Sequence, residues 1–353
     1  PLLGTFMSAS GQFFMSADTC GDRIAAARGL DDGVDTAEGY RFLSRALRYL
    51  LEKSLDGDDV DFPRLVRSSH ETLKLLSDSP DYYYRLATID GRHDYRLRGR
   101  RGTADLIALS SYGEGGHGSE CHGLLQEPQL QIEPDGSFDV ILSAQFHPGN
   151  WLPLQENSTF IQLREVYPSR HRDSPSVVSI NRVGGPAVPA PYDSARLLTG
   201  LRRAATQLTQ TTGLISAFAP ALRERAFCCF DDDQSLWRAA GANPDTRYAQ
   251  GYWELGQGEA LVVECAIPAC NGFSFQINNR WAESLDYSHH TVYRTNHSST
   301  IRSDGSVRYV IAEHYPEIEA DWLDPAGHRA GTMVWKWNGA LSQPVPTARV
   351  MRT

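Results

Sequence analysis

The sequence predicts an α+β, mainly β protein built of two repeated antiparallel β-sandwich or jelly-roll-like modules with flanking helices. First, one series of signatures occurs twice in the same order. Asp135-Gly136-Ser137 opens the alternating run Phe138 to Ser143, and a loop then delivers Asn150-Trp151-Leu152-Pro153; Asp304-Gly305-Ser306 opens Val307 to Ala312 before Asp321-Trp322-Leu323-Asp324. The echo extends outward, with Ile89 to Tyr95 matched to Ile267 to Phe273 and Ile161-Gln162-Leu163-Arg164 matched to Met333-Val334-Trp335-Lys336. Second, runs of strand-like text are set apart from helix-like text, which favours α+β over alternating α/β. Third, 353 residues exceed what one core usually serves, and thirty glycines with nineteen prolines suit a turn-rich β protein.

Residues 1–34 show no period and are rich in Gly, Ser, Ala and Asp, which predicts a loose N-terminal arm. Residues 35–182 are assigned to helices and the first β module. Asp35 or Thr36 caps a helix in which Leu43, Leu47, Leu50 and Leu51 recur at helical spacing. A second short helix is expected from Phe62 to Leu76, ended by Asp78-Ser79-Pro80-Asp81. Tyr82 to Thr88, Asp94 to Arg98 and Leu106 to Ser110 read as strands, Tyr112 to Leu125 as a Gly-rich loop. Phe138, Val140 and Leu142 alternate as a half-buried antiparallel strand requires. Residues 183–250 form a linker, Pro-rich from Val183 to Pro191, and a helical segment. Leu197, Leu198, Leu201, Ala205 and Leu208 mark its helix, with a break near Pro220. Asp231-Asp232-Asp233 precedes Leu236 and Trp237 as a negatively charged helix start. Residues 251–353 make the second β module.

Composition narrows the function classes. A formal charge of -9 repels phosphate backbones and anionic lipid, so neither nucleic acid nor a membrane is an expected partner. No stretch approaches the roughly 20 apolar residues of a membrane span, and the N-terminus lacks a basic segment followed by an apolar core. Six cysteines, sparsely and irregularly placed, read as reduced thiols of a cytoplasmic protein, with a Cys265–Cys270 pair as the alternative.

Asn150-Trp151-Leu152, and more pointedly Asp321-Trp322-Leu323-Asp324-Pro325-Ala326-Gly327-His328 with Gly331 and Trp335-Lys336-Trp337, resemble a bacterial family of unknown function numbered twelve-fourteen. The resemblance spans about Thr36 to Ala340 and implies a β-rich, sandwich-type fold; it brings no settled reaction or cofactor. Related sequences often read Asp-Pro-Gly before the second Trp motif, where this chain has Tyr315-Pro316-Glu317-Ile318-Glu319.

The densest polar window is Trp281 to His297. Histidine transfers protons near neutral pH, and Tyr or Arg beside it polarises or holds a carbonyl or carboxylate. In an extended strand Tyr287 and His289 would share one face, His290 and Arg294 the other. His289 or His290 is the candidate base, Tyr287 the acid, Arg294 the anion anchor and His297 a further catalytic candidate. Tyr83, Trp281, Tyr293 and Asn296 are the candidate substrate contacts. The competing reading is a polar surface loop. His117, Cys121 and His122 are weak metal candidates, because they crowd one loop without the paired spacing of structural zinc sites; His328, in the Ala-Gly-His turn, together with His314 could supply ligands or an acid across the fold. Neither a metal nor a cofactor is expected. The acidic stretch Glu313, Glu317, Glu319, Asp321 and Asp324 invites a sugar-processing reading, but Trp151 and Trp322, kept by both copies, suit structural corners better. No phosphate-binding Gly-rich fingerprint, Gly-x-Ser-x-Gly elbow or His-Glu-x-x-His is present.

The leading expectation is a cofactor-independent lyase, isomerase or hydrolase acting on a small, largely apolar molecule by acid–base chemistry in a cleft between the modules. The first alternative is a non-catalytic glycan- or protein-binding sandwich, in keeping with seven Trp and fifteen Tyr. A glycan-active enzyme with paired carboxylates is the second. A homo-oligomer held by the N-terminal arm is a further possibility.

Overall fold

The computed structural model describes residues 2–27, 32–116, 118–168 and 174–353. Helices α1 (Leu2–Ala25) and α2 (Asp32–Leu51) come first, α2 running into a π-helical turn at Glu52–Asp56. The first module holds β1 (Val66–Ser69), β2 (Tyr82–Thr88), β3 (Tyr95–Arg100), β4 (Leu106–Gly115), β5 (Gly118–Gln126), β6 (Ser137–Ser143), β7 (Trp151–Pro153), β8 (Ser158–Val166) and β9 (Val177–Arg182). Helices α3 (Ser194–Arg225) and α4 (Ser235–Ala239) follow. The second module holds β10 (Thr246–Glu254), β11 (Glu259–Ala266), β12 (Gly272–Ile277), β13 (Tyr293–Thr295), β14 (Ser306–Ile311), β15 (Asp321–Leu323), β16 (Ala330–Asn338) and β17 (Thr347–Arg352).

The repeat is structural. One sheet of the first module runs β1-β2-β8-β4-β5 and its counterpart β10-β16-β12-β13; the other runs β7-β6-β3-β9 and its counterpart β15-β14-β11-β17. Eight strands therefore correspond in order, from β2 with β10 to β9 with β17, and β1 is an addition. Each pair of sheets encloses its own core: Leu97, Leu109, Val140 and Leu163 in the first, Val263, Phe275, Tyr309 and Trp335 in the second.

Local chemistry explains why the duplicated signatures persist. Asp135 and Asp304 each accept the backbone N–H of the serine two residues on, at 2.9 and 3.0 Å. Gly136 and Gly305 between them take φ of 85° and 78°, where a side chain would be strained. The indole N–H of Trp151 donates to the Ser143 carbonyl at 3.0 Å and that of Trp322 to the Ala312 carbonyl at 2.8 Å. In both modules the tryptophan's short strand lies parallel to the strand after the Asp-Gly-Ser turn, Ile141 facing Trp151 and Val310 facing Trp322. These tryptophans are structural corners. One sequence match is displaced: Ile89 to Tyr95 joins β2 to β3, whereas Ile267 to Phe273 joins β11 to β12, one strand later. Turn residues alone had aligned them.

Several sequence expectations are corrected. Residues 2–25 form helix α1, with Phe13, Cys20 and Ile24 buried in the cluster that α2 and α3 share, so most of the expected arm is packed helix. Phe62 to Leu76 contains β1 and turns. The Gly-rich segment after Tyr112 is the hairpin β4–β5; Gly113 and Gly123 allow backbone carbonyls to approach where a Cβ would lie 2.4 and 2.5 Å from Asn157 O and Pro153 O. Helix α3 continues through Pro220, held by the buried Phe218, Ala219 and Leu222. The second module begins at Thr246, earlier than Gly251. The Asp231-Asp232-Asp233 run leads into α4 as expected, Asp233 accepting the Ser235 N–H at 2.9 Å. All six cysteines are free thiols, which removes the Cys265–Cys270 pair. No described helix is long and apolar enough to cross a membrane.

Candidate ligand site between the modules

The modules grip one another through equivalent residues. Arg164 on β8 faces Tyr84, and Lys336 on β16 faces Tyr248, so the two buried cations occupy the same place in the repeat. Arg164 donates to the Gly241 carbonyl, in the segment entering the second module, and Lys336 donates at 3.1 Å to the Ser77 carbonyl, in the segment entering the first. Seven residues beyond each acceptor stands the facing tyrosine, Tyr248 or Tyr84, so the acceptors correspond as well. Contacts that are reciprocal between equivalent residues define a local two-fold relation.

A cavity of about 290 Å³ lies on that relation. Its walls contain both members of three equivalent pairs: Asp105 and Asn271, Leu106 and Gly272, Val166 and Asn338. Asp81, Glu127, Pro128, Phe273 and Asn296 complete it. The lining joins carboxylates and carboxamides to apolar side chains.

Behind the cavity the polar groups form a connected network. Tyr82 donates its hydroxyl proton to Asn338 Oδ1 at 2.8 Å, and Thr246 donates to the same oxygen at 2.9 Å. Lys336 Nζ bonds Ser79 Oγ and, at 3.3 Å, Gln276 Oε1, and lies 5.9 Å from the centre of the Tyr82 ring. Burial pushes the Lys336 ammonium down to about 8, against the pull of the Asp81 and Asp78 carboxylates. Burial also raises the Asp78 carboxyl, opposed by Lys74 and by the two hydrogen bonds from Ser284. The Tyr82 hydroxyl is raised well above its ordinary value, again chiefly by burial. Leu76 and Ser77, at φ of 54° and 55°, bend the chain so that Ser77 to Asp81 enters the interior.

The sequence-picked catalytic residues do not converge. Residues 287–292 are irregular backbone, and only Tyr293–Thr295 is strand, so the expected two-faced alternation is absent. His289 is exposed and meets Asp286 within its own loop at 2.8 Å; His290 meets Asp324 at 2.7 Å; His297 reaches Asp105 of the other module. Arg294 donates to the carbonyls of Ser298 and Trp322, both at 3.1 Å, which makes it a loop brace. Tyr287 is buried under the Lys74 ammonium, 4.4 Å from its ring centre. Trp281 is buried against α2, its indole N–H donating to Asp35 O at 2.7 Å. Tyr83 has the guanidinium groups of Arg67 and Arg85 at 4.1 and 5.1 Å from its ring centre, and Tyr293 faces Gln276 across the sheet. Asn296 alone of these lines the cavity.

His117 lies outside the described residues. Cys121 donates to Gly123 O at 3.4 Å and its thiol is raised by burial, while His122 shares a 2.8 Å hydrogen bond with Ser158 and its imidazole is lowered by burial. No group of three metal-ligating side chains occurs among the described residues. Asp81, Asn338 and Lys336 were missed because a Ser-Asp-Ser-Pro-Asp run reads as a turn and a lysine in a strand reads as surface; the signal that would have found them is the repeat, which matches Lys336 to Arg164.

No family model and no curated protein matches the chain. Among solved structures, the VPA0106 protein from Vibrio parahaemolyticus aligns over 88% of this chain and 97% of its own at 10% identity, with a TM-score of 0.48. An uncharacterized protein from Burkholderia cenocepacia aligns over 99% of this chain and 98% of its own, at 35% identity and a TM-score of 0.94. Helices, both modules and the cavity walls all fall within that span, and the chain belongs to the same family as the Burkholderia protein.

Proposed function

We propose that the chain binds a small hydroxylated molecule, of about the size of a monosaccharide, in the cavity between its modules. The supporting observation is the lining itself: Asp81, Asp105, Asn271, Asn296 and Asn338 offer acceptors and amide donors, while Leu106, Val166 and Pro128 offer an apolar wall. That mixture suits a ring with hydroxyls at its rim and C–H groups on its faces better than the apolar ligand expected from sequence. The volume is at the low end for ligand sites, which favours one ring over an oligosaccharide. This reading places the protein in the cytoplasm, in keeping with its free cysteines, and in the family of unknown function that its Trp motifs resemble.

Calorimetric titration with neutral monosaccharides and polyols tests it. Asn296→Ala, at an exposed position, is expected to weaken binding about tenfold, the scale of one hydrogen bond, without moving the melting temperature. If no compound of this class binds, the reading fails.

A second reading, acid–base turnover, rests on Lys336. An amine held near 8 by burial, with the Asp81 carboxylate acting on it from the cavity wall, can give up and regain its proton close to neutral pH. Product formation from a bound ligand, abolished by Asp81→Asn, separates turnover from binding alone.

A further inference from the structure

The outer faces of the corresponding sheets β7-β6-β3-β9 and β15-β14-β11-β17 are equivalent in backbone and opposite in character. Aligned through Ser137 and Ser306, β3 and β11 match Arg100 with Ala266, Arg98 with Glu264 and Arg96 with Val262. The cross-strand ion pair is conserved with its charges exchanged: Arg98 to Asp139 at 3.2 Å in the first module, Arg308 to Glu264 at 2.7 Å in the second. Across the second module's face the segment 313–320 folds back, laying Ile318, Ala320 and Trp322 over Val262, Val310 and Ala312. The first module's corresponding loop is shorter, with eight positions from Ser143 to Trp151 against ten from Ala312 to Trp322.

The first face is consequently open. Arg96, Arg98 and Arg100 stand in a row ~6.8 Å apart along β3. Arg96 and Arg98 share the single carboxylate of Asp139, and Arg100 donates to the Asp135 carbonyl at 3.1 Å, close to that residue's carboxylate. Beside them Phe146 is 74% exposed and rests edge-on against Trp151, ring centres 5.2 Å apart. Arginine beside exposed aromatic rings is the composition of interface centres. The occupant it asks for is acidic, and the chain supplies one. The covering segment of the second module turns Glu313, Glu317 and Glu319 outward together with Tyr315, itself 47% exposed.

We infer that the cationic face of one copy docks on the 313–319 loop of a second copy, the three arginines meeting the three glutamates while Phe146 and Tyr315 supply the apolar contact. The sites are distinct within one chain, so the contact is either made twice across a two-fold axis, giving a reciprocal dimer, or repeated head to tail, giving longer assemblies.

Sedimentation at low salt and at ~1 M salt, where the screening length falls to ~3 Å, tests it. The wild-type chain is expected to self-associate at low salt and to dissociate at high salt. Arg96→Glu with Arg98→Glu, and separately Glu313→Lys with Glu319→Lys, should each be monomeric, the contact weakened about 100-fold or more by like charges. Mixed in equal amounts, the two variants should associate again, because each reversed surface now meets its complement. Circular dichroism melting checks that both variants stay folded. A wild-type monomer at low salt overturns the inference; so do reversed variants that still self-associate, or a mixture of folded variants that stays monomeric.

Discussion

Arg164 and Lys336 hold the same position in two copies of one module, yet they solve the burial of a positive charge differently. The guanidinium of Arg164 is spread over Ser110, Tyr112, Gln162 and the Gly241 carbonyl, and stays charged at any pH the protein meets. The ammonium of Lys336 has fewer partners and two carboxylates nearby, and sits where its proton is easily lost. Duplication gave both modules a cation to clasp the other. Only the second copy's cation is titratable, and it is the one next to the Tyr82–Asn338 hydrogen bond at the cavity wall.

The largest break in this comparison is expected from Arg164→Met, which strands the Gly241 carbonyl and leaves the Tyr112 hydroxyl only its bond to the Ala242 carbonyl; urea unfolding should show a loss of about 3 kcal/mol, with Lys336→Met costing less. The pH dependence of the same experiment sharpens it. The folded value of Lys336 lies below its unfolded one, so between them the unfolded chain binds the proton more strongly and stability rises with pH. From pH 7.5 to 10 the wild-type chain should gain on the order of 2 kcal/mol relative to Lys336→Met, while Arg164→Met retains that gain. Equal slopes in wild type and Lys336→Met would show the amine to be unshifted. Smaller still, Trp151→Phe and Trp322→Phe should each cost about 1 kcal/mol, the worth of one indole hydrogen bond, and nearly the same amount. Unequal losses would mean that one corner has acquired a second role. The weakest effect belongs to the exchanged ion pairs: double-mutant cycles should give below ~0.5 kcal/mol for Arg98–Asp139, whose arginine is 59% exposed, and slightly more for Arg308–Glu264.

What was legible in the sequence was what two copies repeat. The Asp-Gly-Ser turn and the Trp corner are fixed by local hydrogen bonds, so they survive in both modules and announce the sandwich pair. Where the chemistry was generic the match slipped, as when turn residues aligned the β2–β3 connection with the β11–β12 connection. Strand β5 was hidden because its glycines answer to close backbone approach, a tertiary demand that β-propensity does not register. Helix α1 was hidden because its buried Phe13, Cys20 and Ile24 serve a bundle with α3, nearly two hundred positions away, and its charged residues, Asp18, Asp22 and Arg23, come only near its end. The Trp281 to His297 window was dense in polar residues for the ordinary reason that it is a long loop whose histidines each find a nearby carboxylate.

The reciprocal clasp also bears on how the chain is held together along its length. Residues 186–195, between the last strand of the first module and the body of α3, are all exposed. A cut there severs a tether and leaves Arg164 on Gly241 and Lys336 on Ser77 untouched. Nicked protein should therefore run as one particle under native conditions, its halves released only by denaturant. In this sense the monomer is a dimer made permanent: the linker holds each half at an effective concentration on the order of millimolar, and freed from assembling with a separate partner, the halves could diverge until one carried arginine and the other a lysine that titrates.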